Sequence, residues 1–270
     1  MVSNDQRRRQ LAREKFLRQQ QRRESARRKA RTRNTVIASA LAVVVVAGAG
    51  AFAAGAFDGK DTKDSAASKP SASPSKAADP CAKPAAGKVK SLSWKKEPAL
   101  AIDKSAGYTM NLATTCGDIG IDLKTKEAPH TVNSFDFLAG KGFFDHTKCH
   151  RLTTNGIYVL QCGDPKGTGA GGPGYTIPDE NLKDKSLKAN VYPAGTIAMA
   201  NTGQKHTGGS QFFLVYQDSQ LPPSYTPFGT ISDSGMKVLK KIAAAGESTG
   251  QGDGAPNATV VIDKATVKKS

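Results

Sequence analysis

Along the C-terminal two thirds of this chain hydrophobic positions alternate with polar ones. Earlier they form one uninterrupted stretch, and between the two regions they are almost absent. From about residue 89 the period is two. Tyr108, Met110 and Leu112 alternate with Thr109 and Asn111, and Ile119, Ile121 and Leu123 alternate with Gly120 and Asp122. That period puts one set of side chains on each face of an extended chain, so both runs are expected as half-buried strands. His150–Thr154, Tyr158–Cys162, Thr196–Ala200, Gln211–Val215, Pro227–Ile231 and Val260–Val267 are further strand candidates. After Ala128-Pro129-His130-Thr131, the spacing of Val132, Phe135 and Leu138 predicts a helix of about three turns closed by Gly140. A second amphipathic helix is expected on Met236, Leu239, Ile242 and Ala243. Many strands and two helices fit a mainly β domain, an antiparallel barrel or sandwich whose ends the helices close.

The uninterrupted stretch runs from Thr35 to Phe57, 23 residues without a charge, including Val43-Val44-Val45-Val46. As a helix it would reach roughly 34 Å, enough for the hydrocarbon core of a bilayer, and it is expected as a transmembrane helix. Charge supports that reading. Residues 1–34 hold thirteen Arg and Lys against Asp5, Glu14 and Glu24, so +10 of the net +16 lies there and the other 236 residues carry only +6. Such a basic arm could bind nucleic acid, but directly before an apolar span it serves as an orientation signal that also attracts anionic lipid. The expected topology is single-pass in the cell membrane, N-terminus cytoplasmic and the remainder extracytoplasmic. A cleaved signal peptide ending near Ala54-Gly55-Ala56 is the rival, and both its basic and its apolar parts would be long for one. Residues 58–88 consist of Asp, Gly, Lys, Thr, Ser, Ala and Pro apart from Cys81, with no apolar side chain to build a core. They are expected as a solvated linker, leaving 89–270 as the folded domain.

Candidate chemistry narrows quickly. Ser210, in Gly208-Gly209-Ser210-Gln211, lacks the nucleophile-elbow pattern of serine hydrolases. His146, Cys149 and His150 have no fourth ligand at a zinc-finger interval. The run Gly167-Thr168-Gly169-Ala170-Gly171-Gly172 lacks the Lys-Ser/Thr of a phosphate loop. No metal or cofactor is expected.

A different set of blocks is informative: Cys149-His150-Arg151-Leu152, Tyr158-Val159-Leu160-Gln161-Cys162-Gly163-Asp164, Gly167-Thr168-Gly169 to Gly174-Tyr175, Asp179-Glu180, Ala198-Met199-Ala200-Asn201, Gly208-Gly209-Ser210-Gln211-Phe212-Phe213-Leu214 and Pro227-Phe228-Gly229. In this order, over residues 100–270, they resemble the cyclophilin family of peptidyl-prolyl cis/trans isomerases, and the short glycine-rich run resembles its bacterial branch. The resemblance implies an eight-stranded antiparallel barrel capped by two helices, with a peptide groove on its outer face. It also implies catalysis of X-Pro isomerisation without cofactor or covalent intermediate. Carried over by motif, Arg151 faces the proline nitrogen, Gln161 bonds the substrate backbone, and His150 shapes the groove or is simply packed. Ala200 and Asn201 pair with the peptide main chain beside Gln211. Tyr158, Val159, Phe213, Leu221 and Tyr225 surround the proline ring. Phe212 and Phe213 must face opposite sides of their strand, so one of them belongs to the core.

The chain departs from eukaryotic members in several places. Nine residues separate Arg151 from Gln161, two more than in those members, so Tyr158 and Val159 are placed by counting back from Gln161. Tyr158-Val159 replaces a Phe-Met pair, Gln220 stands in place of Trp, and Tyr225 in place of His. Loss of the indole is expected to weaken cyclosporin binding, which a tight inhibition constant would contradict. The four Cys allow three pairings. Cys149 and Cys162 flank the expected hairpin, which favours their pairing and leaves Cys81 with Cys116 to pin the linker. The alternative, four free thiols, suits an oxidising compartment poorly. Two readings of function follow: a monomeric isomerase acting on exported, proline-containing polypeptides, or a non-catalytic module that holds such segments in the same groove.

Overall fold

A computed structural model describes residues 78–270. The expected basic tail, the expected transmembrane helix and residues 58–77 of the expected linker lie outside the described residues. Among the described residues no helix is long and apolar enough to cross a membrane.

The strand candidates become β1 (Tyr108–Thr114), β2 (Gly117–Leu123), β4 (Arg151–Thr153), β5 (Val159–Cys162), β7 (Thr196–Met199), β8 (Phe212–Val215), β10 (Pro227–Ile231) and β12 (Val261–Lys269). Four two-residue strands escape the hydrophobic pattern: β3 (Thr147–Lys148), β6 (Val191–Tyr192), β9 (Ser219–Gln220) and β11 (Asp253–Gly254). At two residues there is no periodicity to read. The sheet order is β11-β4-β5-β8-β7-β10-β2-β1-β12-β3, with β6 and β9 paired separately. Every pairing is antiparallel. The eight longer strands follow one another without a gap, and the two-residue β3 and β11 form the edges. The architecture is therefore a curled antiparallel half-barrel: the eight expected strands with a two-residue strand added at each edge. The segment that joins β3 to β4 bonds to both sides of the sheet. Cys149 donates its backbone N–H to Val260 on the β12 side, and His150 donates to Gln161 on β5.

Burial follows the alternation. Met110, Leu112, Ile119 and Ile121 point into the core, where helix α1 (Pro129–Gly140) inserts Val132, Phe135 and Leu138. Phe135 packs against Phe144, Phe212 and Phe228 with ring centroids 4.6–5.6 Å apart. The helix ends at Gly140, as expected, and the chain reverses two residues beyond it. Gly142, at φ 69°, reverses the chain, and its N–H and that of Phe143 cap the carbonyls of Ala139 and Leu138. Helix α2 (Asp233–Ala244) is N-capped by the Ser232 hydroxyl and buries Leu239 and Ile242.

The cysteines pair as Cys149–Cys162 and Cys81–Cys116. The second bond, with Thr259 N–H bonded to Asp79 and Ala85 N–H to Asp263, ties residues of the expected linker to the domain.

Candidate active site

Strands β4 and β5 place Arg151 directly opposite Gln161, and β5 in turn pairs Gln161 with Phe213 on β8. Cys149–Cys162 joins the residue two before Arg151 to the residue after Gln161, so a covalent brace spans both strands beside these side chains. The Arg151 guanidinium makes a two-point contact with Asp253, Nε to Oδ1 and Nη2 to Oδ2, each at 2.8 Å. Its Nη1 donates to Gln161 Oε1 at 3.1 Å. The relay continues as Gln161 Nε2 donates to Gln211 Oε1 at 2.9 Å and Gln211 Nε2 donates to the Gly171 carbonyl. Three of the five guanidinium N–H groups are thus used, and two remain for a ligand. Hydrogen bonding to Asp253 holds the Arg151 pKa above its ordinary value, and the same contact holds the Asp253 carboxyl below the usual carboxylate range.

Beside this polar row lies a second apolar cluster, separate from the main core. Val159, Tyr192, Ala198, Phe213 and Val215 are buried in it, with Ala200, Leu221, Tyr225 and Ile157 partly covered. Phe212 belongs to the main core and Phe213 to this cluster, as alternation requires. Phe213 and Tyr225 meet edge to face at 5.4 Å. Tyr192 fixes the Tyr225 segment, because its hydroxyl donates to the Tyr225 carbonyl and accepts from the Tyr225 N–H. Burial pushes the Tyr192 phenol up to about 12. Asn201 donates to the Ser224 carbonyl and accepts from Gly203 N–H, so it anchors the neighbouring loop, while Ala200 N–H bonds the Gln211 carbonyl.

Of the residues singled out from the sequence, the structure brings together Arg151, Gln161 and Gln211 in the polar row and Val159, Phe213, Ala200, Leu221 and Tyr225 in the cluster. Tyr158 is not brought together with them. It lies just before β5 and packs against Tyr216 at 5.9 Å. Nor does His150 join the polar row. Both its ring nitrogens are buried without a hydrogen-bond partner, and a β-carbon at Gly169 would lie 3.7 Å from Nε2, which places the glycine-rich loop against the ring. Burial lowers its pKa, with the charge of Arg151 adding to the shift and Asp164 opposing it.

Three contributors were missed. Asp253 lies 102 residues from Arg151 on the two-residue edge strand β11, where the only signal is one acid between glycines. Tyr192 follows a polar stretch and starts no periodic run. Asp164 is fully buried and accepts N–H bonds from Lys166, Thr168 and Gly169, so one carboxylate organises the glycine-rich turn. Burial alone would raise its pKa, but these donors bring it below the ordinary value. Among the described residues no cluster of three or more His, Cys, Asp or Glu could hold a metal ion.

A curled antiparallel sheet thus carries an arginine-glutamine row beside an aromatic cluster separate from its core. The sequence pattern described as cyclophilin type peptidyl-prolyl cis-trans isomerase/CLD matches residues 109–267, and the chain belongs to that family. It is 50% identical over 196 residues to a probable peptidyl-prolyl cis-trans isomerase B of Mycobacterium leprae, a match covering 70% of this chain and 62% of that protein. It is 40% identical over 149 residues to a peptidyl-prolyl cis-trans isomerase of Helicobacter pylori, covering 54% and 85%. The chain thus spans about three fifths of the mycobacterial relative. A Cryptosporidium parvum cyclophilin type isomerase, solved in the presence of the dipeptide Ala-Pro, superposes with a TM-score of 0.50 at 27% identity, covering 60% of this chain and 99% of that one.

Proposed function

We propose that this protein catalyses cis/trans isomerisation of X-Pro bonds, and that its substrates are exported polypeptides folding outside the cytoplasmic membrane. The observation that carries the catalytic reading is the Arg151 guanidinium, fixed by Asp253 and Gln161 at the edge of an apolar cup, with two N–H donors left over. Twisting an amide breaks its conjugation against a barrier of about 18–20 kcal/mol and returns a lone pair to the proline nitrogen. A guanidinium donor stabilises that lone pair in the twisted state and has little to bond in either planar one. The cup formed by Phe213, Val159, Leu221 and Tyr225 holds the ring while Gln161 fixes the backbone beside it. Raising roughly 0.01 s⁻¹ to about 100 s⁻¹ takes about 5.5 kcal/mol, within reach of one positioned charge in a site that excludes water. No step transfers a proton from enzyme to substrate.

The location rests on separate support. The 23-residue uncharged span after a block of thirteen basic residues favours an anchor with its N-terminus in the cytoplasm and the basic arm on anionic lipid. The pairing of all four cysteines favours an oxidising compartment. We take the protein to act as a monomer.

Exchange spectroscopy on a short Xaa-Pro peptide with the purified full-length protein tests the activity. Exchange several orders of magnitude above the spontaneous rate is expected. Peptide binding without acceleration would make the groove a holding site.

A further inference from the structure

We propose that the cleft beside the proline groove is a subsite for acidic side chains of the substrate, built in part by a segment that precedes the matched family region. This deepens the isomerase reading and rests on it. The cleft encloses about 970 Å³ and runs from Gln161, Ala200 and Asn201 to an outer wall carrying Lys95, Lys96 and Lys166. Two of those lysines belong to residues 93–97, outside the matched stretch 109–267.

That wall is held firmly. Trp94 donates its N–H to the Pro173 carbonyl at 2.8 Å and packs edge-on against Phe137 at 5.0 Å. Ser93 and Trp94 lie so close to Gly174, at φ 88°, that a β-carbon there would meet the Ser93 hydroxyl and sit 2.7 Å from the Trp94 carbonyl. The backbone of the segment is therefore fixed against the glycine-rich loop, while Lys95, Lys96 and Lys166 remain exposed.

The charges are one-sided. Among the described residues none of the three lysines pairs with a carboxylate. The single acid in the lining is Glu97, whose carboxylate contacts His130 Nδ1 at 3.2 Å. Asp164 is buried and turned onto its own loop. A peptide seated on Gln161 and Asn201 thus passes three unneutralised ammonium groups, which attract a carboxylate and repel a lysine.

The test uses the full-length protein and peptides sharing one Xaa-Pro core. Glu, Gln or Lys is placed two to four residues from the proline on either side, and kcat/KM is measured for each. Glu over Lys by about five- to tenfold on one side of the proline is expected at low salt, shrinking at about 0.5 M salt. The triple variant Lys95→Gln, Lys96→Gln, Lys166→Gln should bring the ratio toward one, and the triple Lys→Arg variant should restore it. Equal kcat/KM for Glu and Lys peptides, or a preference untouched by the Gln variant, would overturn the subsite alone. Failure to accelerate even the Gln peptide would overturn the isomerase reading and the subsite with it.

Discussion

The two faces of the β5–β8 ladder are built from adjacent residues and serve opposite ends. Inward, Leu160, Phe212 and Leu214 are fully buried against Phe135 and Phe144 and have no access to solvent. Outward, Val159 and Phe213 join a smaller cluster beside the polar row of Gln161, and its partly covered members, Leu221 and Tyr225, leave it open at one side. A sealed aromatic core makes the sheet rigid, and an incomplete one on its back is where, under the proposed function, a proline ring would complete the packing. One residue of register separates scaffold from site.

Exchanging the two phenylalanines for alanine is the strongest way to break that contrast. Phe212→Ala should lower unfolding free energy by about 3–5 kcal/mol, measured by urea denaturation. Phe213→Ala should cost clearly less stability, because an open cluster relaxes, yet should lose more turnover per folded molecule. Equal stability losses would show that the outer cluster is simply more core. Tyr192→Phe leaves the Tyr225 carbonyl and N–H without their shared partner, and about 1–3 kcal/mol of stability should go with a raised KM. Asp253→Asn keeps the shape but removes the charge that orients Arg151. About a tenfold fall in kcat is expected, with little change in melting temperature, since the pair is largely exposed and worth roughly 1 kcal/mol or less to the fold.

The smallest effect concerns pH. His150 has a folded pKa below its unfolded value of about 6.5, so the unfolded chain takes up its proton first as pH falls. Its contribution to stability is complete above that value and is lost on the way down to the folded pKa. The urea midpoint of His150→Phe should therefore fall less between pH 7 and pH 5 than that of the parent. Parallel declines would show that the buried ring does not titrate with folding.

How much of this was legible in the sequence depended on range. Period-two runs revealed eight strands and helical spacing both helices, because each signal lies within a dozen residues. The motif blocks singled out Arg151, Gln161, Gln211 and Phe213, which the fold places near one another, while Asp253 and Tyr192 make contacts that only the folded chain creates. Tyr158 shows a different failure. It is adjacent to Val159, so the two could not share a face, and the alternation that separated Phe212 from Phe213 applied to them as well. The expected start of the domain at residue 89 rested on polar composition; the expected Cys81–Cys116 bond already pinned the preceding segment, but nothing local revealed that Asp79 and Asp263 add hydrogen bonds gathering residues 79–85 onto the fold.

The most direct test of the central claim compares Arg151→Ala with the parent, measuring both the exchange rate of a bound Xaa-Pro peptide and its dissociation constant. If the guanidinium acts on the twisted amide, the exchange rate falls by about 10²–10³ while affinity for the planar peptide changes by no more than a few-fold. Parent-like exchange from the folded Arg151→Ala protein, or a loss of affinity as large as the loss of rate, would contradict it.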